Sequence, residues 1–330
     1  MNELEGHITG HLDRLGIDAR PIVMPTSWNV GPVVAYLFGD DPVTLIDSGL
    51  ASGRPLIEEA LRKANLSVAD VKRAIVTHGH GDHLGGALWL QEASGCDVVL
   101  HRIEAEMITS PRRRETITEL FAPLGFDEQK LAEQAIRAAS PLPRFTAADG
   151  GESFVVGKHT LRVEHHAGHT PGHLWIVDAG SGAMFTGDYL LASSPTNPGM
   201  MLDRAHPSGR APLLVQYMDG LRELASRNPP ALFTGHGPVI TDAPALVRRR
   251  LSRIERRTRR VRNALATAGE STAAQLAEGL YRGRARGSWD VMAELVGHLD
   301  VLIERGQATS RLGEDGYWHF SAAIEGGPNV

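Results

Sequence analysis

The segment Thr77-His78-Gly79-His80-Gly81-Asp82-His83 places three imidazoles and one carboxylate within six residues. Imidazole and carboxylate together suit zinc or a similar borderline cation. Gly79 and Gly81 let the backbone turn tightly between the ligands. Four further segments carry the same residue types: Asp47 in Leu45-Ile46-Asp47-Ser48-Gly49, His169 in Gly168-His169-Thr170-Pro171-Gly172-His173, Asp188 in Phe185-Thr186-Gly187-Asp188, and His236 in Thr234-Gly235-His236-Gly237. Each falls at the end of an expected strand with glycine close by. Strand ends along one rim of a sheet are where a rigid scaffold presents functional side chains. A solvated histidine-rich loop is the bland alternative for residues 77–83, and the four agreeing segments argue against it.

The strands that must hold these residues are expected at 22–24, 33–38, 43–46, 74–76, 97–101, 153–156, 160–165, 174–178, 183–186 and 231–234. Helices are expected at 4–15, 55–64, 84–93 and 213–225. Residues 104–140 read as an amphipathic helical insertion covering one mouth of the core domain. Residues 193–212 read as a long irregular loop, which is often functional. Beyond Thr241-Asp242-Ala243-Pro244, the residues Val247, Leu251, Ile254, Thr258, Val261 and Leu265 recur at three- and four-residue intervals, so one long amphipathic helix is expected. Ser271 is the expected cap of a helix over 272–280, and 289–305 reads as another. Residues 307–312 and 317–320 flank Gly313-Glu314-Asp315-Gly316 as a hairpin. The expected organisation is a catalytic domain over 1–242 and a small, mostly helical, winged-helix-like domain over 243–330.

A chain of 330 residues allows about two domains. Its 42% hydrophobic and 22% charged content excludes whole-chain disorder, collagen or a coiled-coil rod. No apolar run is long enough to span a bilayer, and the N-terminus lacks the basic-then-apolar pattern of a secretory signal. No membrane association and a cytoplasmic location are expected. The single cysteine, Cys96, excludes an internal disulfide and a thiolate metal cage, and reads as a small buried residue. The net charge of -5 is unevenly placed. From Ala243 onward there are fourteen Arg and no Lys against ten Asp plus Glu, with nine of those Arg in 248–262. A C-terminal unit with its own electrostatics follows.

The five motifs, in this order and spacing between about Ile22 and Ile240, resemble the metallo-β-lactamase superfamily. The resemblance implies an α/β fold, the αββα sandwich of two mixed sheets flanked by helices, with a dinuclear metal site at one edge. By the family's pattern His78, His80 and His169 would hold one metal, Asp82, His83 and His236 the other, and Asp188 would bridge them. Asp47 would orient a ligand from behind, and His173 is expected to back the site rather than ligate. His101, His165 and His166 fall outside the motifs and read as structural or surface residues. His206, in the irregular loop, is a lesser candidate for substrate contact. Two divalent ions are expected, zinc first, with manganese or iron compatible. Two such cations about 3.5–4 Å apart lower the pKa of a shared water. The resulting hydroxide is expected to attack a carbonyl or phosphorus, with the metals stabilising the oxyanion or the leaving oxygen. Asp82 is the expected catalytic residue, orienting the nucleophile and shuttling its proton.

Asp188 occupies the place where the best-known zinc β-lactamases carry cysteine, which argues against β-lactam hydrolysis. Gly235-His236-Gly237-Pro238 departs from the Gly-His-Glu-Tyr ending usual in glyoxalase II relatives. With the tail, it resembles a lactamase-beta-like group of hydrolases that includes an endoribonuclease. The expected reaction is hydrolysis of a small ester, thioester or lactone. Met107, Ile108, Leu120, Phe121, Leu124, Phe126, Met200 and Met201 are candidates to line an acyl pocket, although each alone more simply packs the insertion. The alternative is a single-stranded RNA endonuclease, for which the arginine face would bind phosphates. Trp289, Tyr317 and Trp318 are the tail's candidate stacking platforms. The acidic remainder of the chain opposes nucleic-acid binding. A homodimer is compatible with a tail of this kind. All seven expected ligands are present, which argues against a relative that has kept the fold and lost catalysis.

Overall fold

The computed structural model describes residues 3–110, 113–125, 144–196, 198–203, 205–281 and 289–323. Six strands form one sheet in chain order: β1 (Ala19–Met24), β2 (Val33–Phe38), β3 (Thr44–Ile46), β4 (Arg73–Ile75), β5 (Asp97–Leu100) and β6 (Thr146–Ala147). The first three pair antiparallel, and β3 to β6 pair parallel. A second sheet has the order β11-β10-β9-β8-β7, from β7 (Ser153–Val156), β8 (His159–His165), β9 (Leu174–Asp178), β10 (Met184–Gly187) and β11 (Leu232–Thr234). Only its β10–β11 pair is parallel. Both sheets are therefore mixed.

Strand β2 reads VVAYLF and is buried along its whole length. Successive side chains of a strand point to opposite faces, so a strand covered on both faces needs an unbroken apolar run. Val34, Tyr36 and Phe38 join Leu161, Val163, Ile176, Phe185 and Phe233 of the second sheet. Val33, Ala35 and Leu37 pack the other way, in a core that holds Ile57 and Leu61 of helix α2 (Arg54–Lys63) and Leu90 of α4 (Ala87–Ser94). Helix α1 (Glu3–Arg14) adds Ile8 and Leu12 to the inter-sheet core. Between α2 and α4 lies the one-turn α3 (Gly81–Leu84), and α5 (Arg102–Thr109) follows β5. Helix α7 (Leu213–Arg227) covers the outside of the second sheet from Gly220 onward. Arg227 bonds Glu164 of β8 and lies over the Trp175 ring of β9. The result is a four-layer αββα sandwich.

The chain divides into two compact units that interleave in sequence. The first spans Met1–Ser110, Ala138–Thr196 and Gly220–Val247, and the second Pro111–Arg137, Asn197–Asp219 and Arg248–Val330. The second unit contains α6 (Arg113–Phe121), most of α8 (Ala243–Ala268), α9 (Ala273–Tyr281) and α10 (Trp289–Glu304). Its three-stranded sheet has the order β12-β14-β13, from β12 (Ser271–Thr272), β13 (Ala308–Leu312) and β14 (Trp318–Ala322). Leu120, Phe121, Leu124 and Met200 pack there with Val261, Leu265, Leu276, Leu299 and Phe320. They are core residues of this unit.

Over its described part, up to residue 125, the expected helical insertion is divided between the two units. Helix α5 belongs to the first unit, where Ala105 and Ile108 are buried beside Leu100. Helix α6 belongs to the second, Met107 is exposed, and Phe126 lies outside the described residues. The cap of α9 is Thr272 rather than Ser271. Thr272 Oγ1 accepts from Gln275 N–H at 3.3 Å, and Gln275 Oε1 accepts from Thr272 N–H at 2.8 Å. This reciprocal pair is a capping box, and it leaves Ser271 opposite Phe320 in β12. Among the described residues no helix is long and apolar enough to cross a membrane.

Candidate metal centre

The two sheets are joined at one edge by backbone bonds. Leu174 N–H donates to Thr77 O at 2.8 Å, and Val34 N–H to Gly235 O at 2.8 Å. The segments following β3, β4, β8, β10 and β11 converge there. Two clusters result. His78, His80 and His169 form one, and Asp82, His83, Asp188 and His236 the other. Within each, the ligand atoms all lie within 4.8 Å of one another. All seven residues expected as ligands fall into these clusters.

In the first cluster, His78 Nε2 is 3.0 Å from His80 Nδ1, which is 3.2 Å from His169 Nε2. Two nitrogens on one tetrahedral zinc would be about 3.3 Å apart, given bonds of about 2.0–2.1 Å. His78 is fully buried, and its Nδ1 lies 3.1 Å from Thr77 Oγ1. Burial first, then the neighbouring imidazoles of His83, His80, His169 and His173, push its pKa well below the ordinary histidine value. A neutral ring with its Nε2 lone pair free is the form a cation requires.

In the second cluster, His83 Nδ1 donates to Asp47 Oδ2 at 2.7 Å. His236 Nδ1 donates to Pro32 O at 3.0 Å. Both rings therefore turn Nε2 inward, since the hydrogen bond on one nitrogen sets the role of the other. His236 Nε2 is 3.0 Å from Asp82 Oδ2, and His83 Nε2 is 3.4 Å from Asp188 Oδ1. Those last two atoms are buried and have no hydrogen-bond partner of good geometry. Burial works against charge on Asp82, but His83 and the bond from His236 prevail and bring its pKa down to about 2. Burial opposes ionisation of Asp188 also, and the same imidazoles hold it well below the ordinary carboxylate range. His83 is raised well above its ordinary value despite burial, because Asp188, Asp47 and Asp82 face it. A cluster that needs positive charge at its centre to balance two buried carboxylates fits a divalent cation.

Asp47 stands behind the site, 2% exposed and with φ at 60°. Its Oδ1 accepts from Thr77 N–H at 2.7 Å, so one carboxylate aligns both Thr77 and His83. His173 also lies behind. Its Nε2 donates to Thr186 O at 2.9 Å, and its ring stacks on His78 with centroids 4.9 Å apart. His166 stacks on Trp175, and His101 caps α5 by accepting from Ile103 N–H. His206 lies in the second unit beside Ser208 and Glu304. Cys96 is buried. Two residues beside the site have a part that the sequence reading did not assign: Thr77, which bonds Asp47 and lies beside His78 Nδ1, and Glu104, which reaches the loops of His78 and His169.

The family model described as metallo-beta-lactamase superfamily matches residues 28–236. Over 314 residues the chain is 31% identical to the probable metallo-hydrolase YqjP of Bacillus subtilis (strain 168), covering 91% of this chain and 95% of that protein. It is 25% identical to an atrochrysone carboxyl ACP thioesterase of Emericella nidulans, over 68% of this chain and 58% of that one. Among solved structures, a metallo-beta-lactamase family protein from Thermus thermophilus superposes with a TM-score of 0.77 at 24% identity, covering 92% of this chain and 98% of that one. A beta-lactamase domain protein from Burkholderia ambifaria gives 0.74 at 21%, covering 93% of each chain. With its matched domain and its four-layer sandwich, the chain belongs to the metallo-beta-lactamase superfamily and is a hydrolase of it.

Proposed function

We propose that the chain hydrolyses a small carboxylic ester, thioester or lactone at a site for two divalent metal ions, zinc first. His78, His80 and His169 would hold one ion and Asp82, His83 and His236 the other, with Asp188 shared. The observation that carries this reading is the buried pair of His83 Nε2 and Asp188 Oδ1, 3.4 Å apart and without a hydrogen bond of good geometry, at the centre of the second cluster. Such atoms are costly to bury without well-formed hydrogen bonds, and a cation between them would satisfy both. When bound, the ions activate water at neutral pH and polarise the scissile carbonyl.

The chain's own groups do the rest. Asp82 is ionised across the physiological range, because His83 and His236 outweigh its burial. A carboxylate this acidic orients a water better than it removes its proton. Asp47 and the Pro32 carbonyl fix the His83 and His236 rings, so neither has to reorient on binding. The acyl substrate class is supported by the thioesterase named among the relatives, of which the chain matches little more than half.

We keep the single-stranded RNA endonuclease as the second reading, because Arg248, Arg249, Arg253, Arg256, Arg259 and Arg260 are exposed along α8. Three of that helix's arginines are engaged within the second unit. Arg250 is buried, Arg257 bonds Glu294, and Arg260 donates to Leu280 O. A tail of helices α8 to α10 followed by the β13–β14 hairpin is read as winged-helix-like in either case.

The deciding assay compares labelled single-stranded RNA with a panel of thioesters, aryl esters and lactones on metal-loaded protein, with Asp188→Ala as the blank. Variant-sensitive turnover of an acyl compound alone supports the first reading. Variant-sensitive cleavage of RNA alone replaces it with the second.

A further inference from the structure

Helix α5 carries Glu104, a carboxylate only 4% exposed. Its two oxygens go to two different loops. Oε2 accepts from Gly79 N–H at 3.0 Å, in the loop of His78 and His80. Oε1 accepts from Gly172 N–H at 2.7 Å, in the loop of His169. Both loops present glycine at the point of contact, and the packing requires it. A Cβ on Gly79 would fall 2.6 Å from Glu104 Oε2. One on Gly172 would fall 2.7 Å from Glu104 Cγ and 2.8 Å from His101 Nδ1. The surroundings hold α5 in place. His101 caps the helix at Ile103 N–H, its ring lies 4.0 Å from that of His165, and His165 Nε2 donates to Pro171 O at 2.8 Å.

We infer that Glu104 is a positioning residue that clamps the His78/His80 loop to the His169 loop, and so sets the affinity of the three-histidine cluster for a divalent cation. This rests on the metal reading above. Hydrogen bonds from backbone N–H to a carboxylate are about twice as strong as neutral ones, and here one arm ends between His78 and His80 and the other in the loop that carries His169. The His83 and His236 rings of the second cluster are held by Asp47 and the Pro32 carbonyl, with no bond to Glu104. Loss of the clamp therefore weakens one cluster and spares the other, which a general loss of stability would not do. Glu104→Gln keeps one acceptor and turns an amide N–H toward the other loop's N–H. Glu104→Ala leaves both N–H groups without this acceptor, and the one on Gly172 is buried.

The test is a Zn²⁺ titration of the metal-free full chain in competition with a chromophoric chelator. His80→Ala identifies the binding step that belongs to the three-histidine cluster. In Glu104→Gln that step is expected to weaken by about 10-fold, and in Glu104→Ala by about 100-fold, the range found when partners behind metal ligands are removed. The other step stays at the wild-type value. Gly172→Ala, which keeps the carboxylate but displaces it, is expected to weaken the same step and serves if a Glu104 variant fails to fold. Equal weakening of both steps, or no change in either, overturns the clamp while the metal reading stands. A wild-type chain that takes up no Zn²⁺ overturns the metal reading and this inference with it.

Discussion

Replacing Asp47 by asparagine separates the charge of this residue from its shape. Its backbone sits at φ 60°, a left-handed conformation that asparagine tolerates at least as well as aspartate and that alanine adopts less readily. The side chains are isosteric, so Oδ1 can go on accepting from Thr77 N–H at 2.7 Å. The change falls on the other arm. Where Oδ2 accepts from His83 Nδ1 at 2.7 Å, the amide offers an N–H. His83 can avoid this clash of donors only by moving its proton to Nε2, the atom that faces Asp188 at 3.4 Å. In that tautomer the lone pair a cation needs is gone. A hydrogen bond to a charged group contributes about 1.5–3 kcal/mol. At about 1.4 kcal/mol per factor of ten, metal affinity of the second cluster should fall about 10- to 150-fold. Chelator competition with Zn²⁺ measures this directly, and turnover at sub-saturating metal should fall in proportion. Wild-type affinity and turnover in Asp47→Asn would refute the claim that the carboxylate fixes the His83 tautomer. A loss in Asp47→Ala alone would then be assigned to backbone strain.

Asp188→Ala and His80→Ala should each abolish turnover in metal-loaded protein while the far-ultraviolet circular dichroism stays that of the wild type; near-normal rates in either would sink the metal assignment. A chain ending at residue 243 should aggregate, because Leu120, Phe121, Leu124 and Met200 lose the core formed by Val261, Leu265 and Phe320; a soluble monomer by light scattering would contradict this. Arg210→Ala should lower stability by about 3–5 kcal/mol in urea unfolding, because Asp300 is left buried without the guanidinium 2.5 Å from it, whereas replacing both by Met and Leu should cost far less. His298 is held neutral in the fold, its pKa lowered to about 4 by burial and by Arg257 against the pull of Glu255. The unfolded chain therefore takes up this proton first as pH falls, and stability should drop by about 3 kcal/mol between pH 6.5 and 4. His298→Gln should remove that part of the pH dependence, and an unchanged slope would count against it.

Strands buried on both faces were legible because burial leaves a direct trace. VVAYLF in β2 and Leu174 to Val177 in β9 are unbroken apolar runs. The two-residue strands β6 and β12 were not legible, because two residues show no period. The long arginine-bearing helix was found from its three- and four-residue apolar spacing, and it runs Ala243–Ala268. The apolar residues of 104–124 and 200–201 were harder. Periodicity shows that a face is buried but not what covers it. Phe121 and Leu124 would read alike whether they packed on a substrate or, as here, on α8 and β14.

The histidines and aspartates of the site stood out because they cluster at strand ends beside glycine, a combination that packing alone seldom calls for. Glu104 lacked that signal, since Glu104 and Glu106 look alike in the sequence. One is buried and the other exposed. A subtler signal was present. Glu104 lies four residues before Ile108 and next to Ala105, on the helix face that packs inward. A carboxylate on an apolar face must find donors or be destabilising, and Arg102, the nearest basic residue on α5, bonds Asp149 instead. The remaining donors are backbone N–H groups, and they are free to approach a carboxylate closely where no Cβ intervenes. In the neighbouring loops those places are the glycines at 79 and 172. An inward-facing acid on a helix together with glycines in two adjacent loops is the sequence trace that such a clamp leaves.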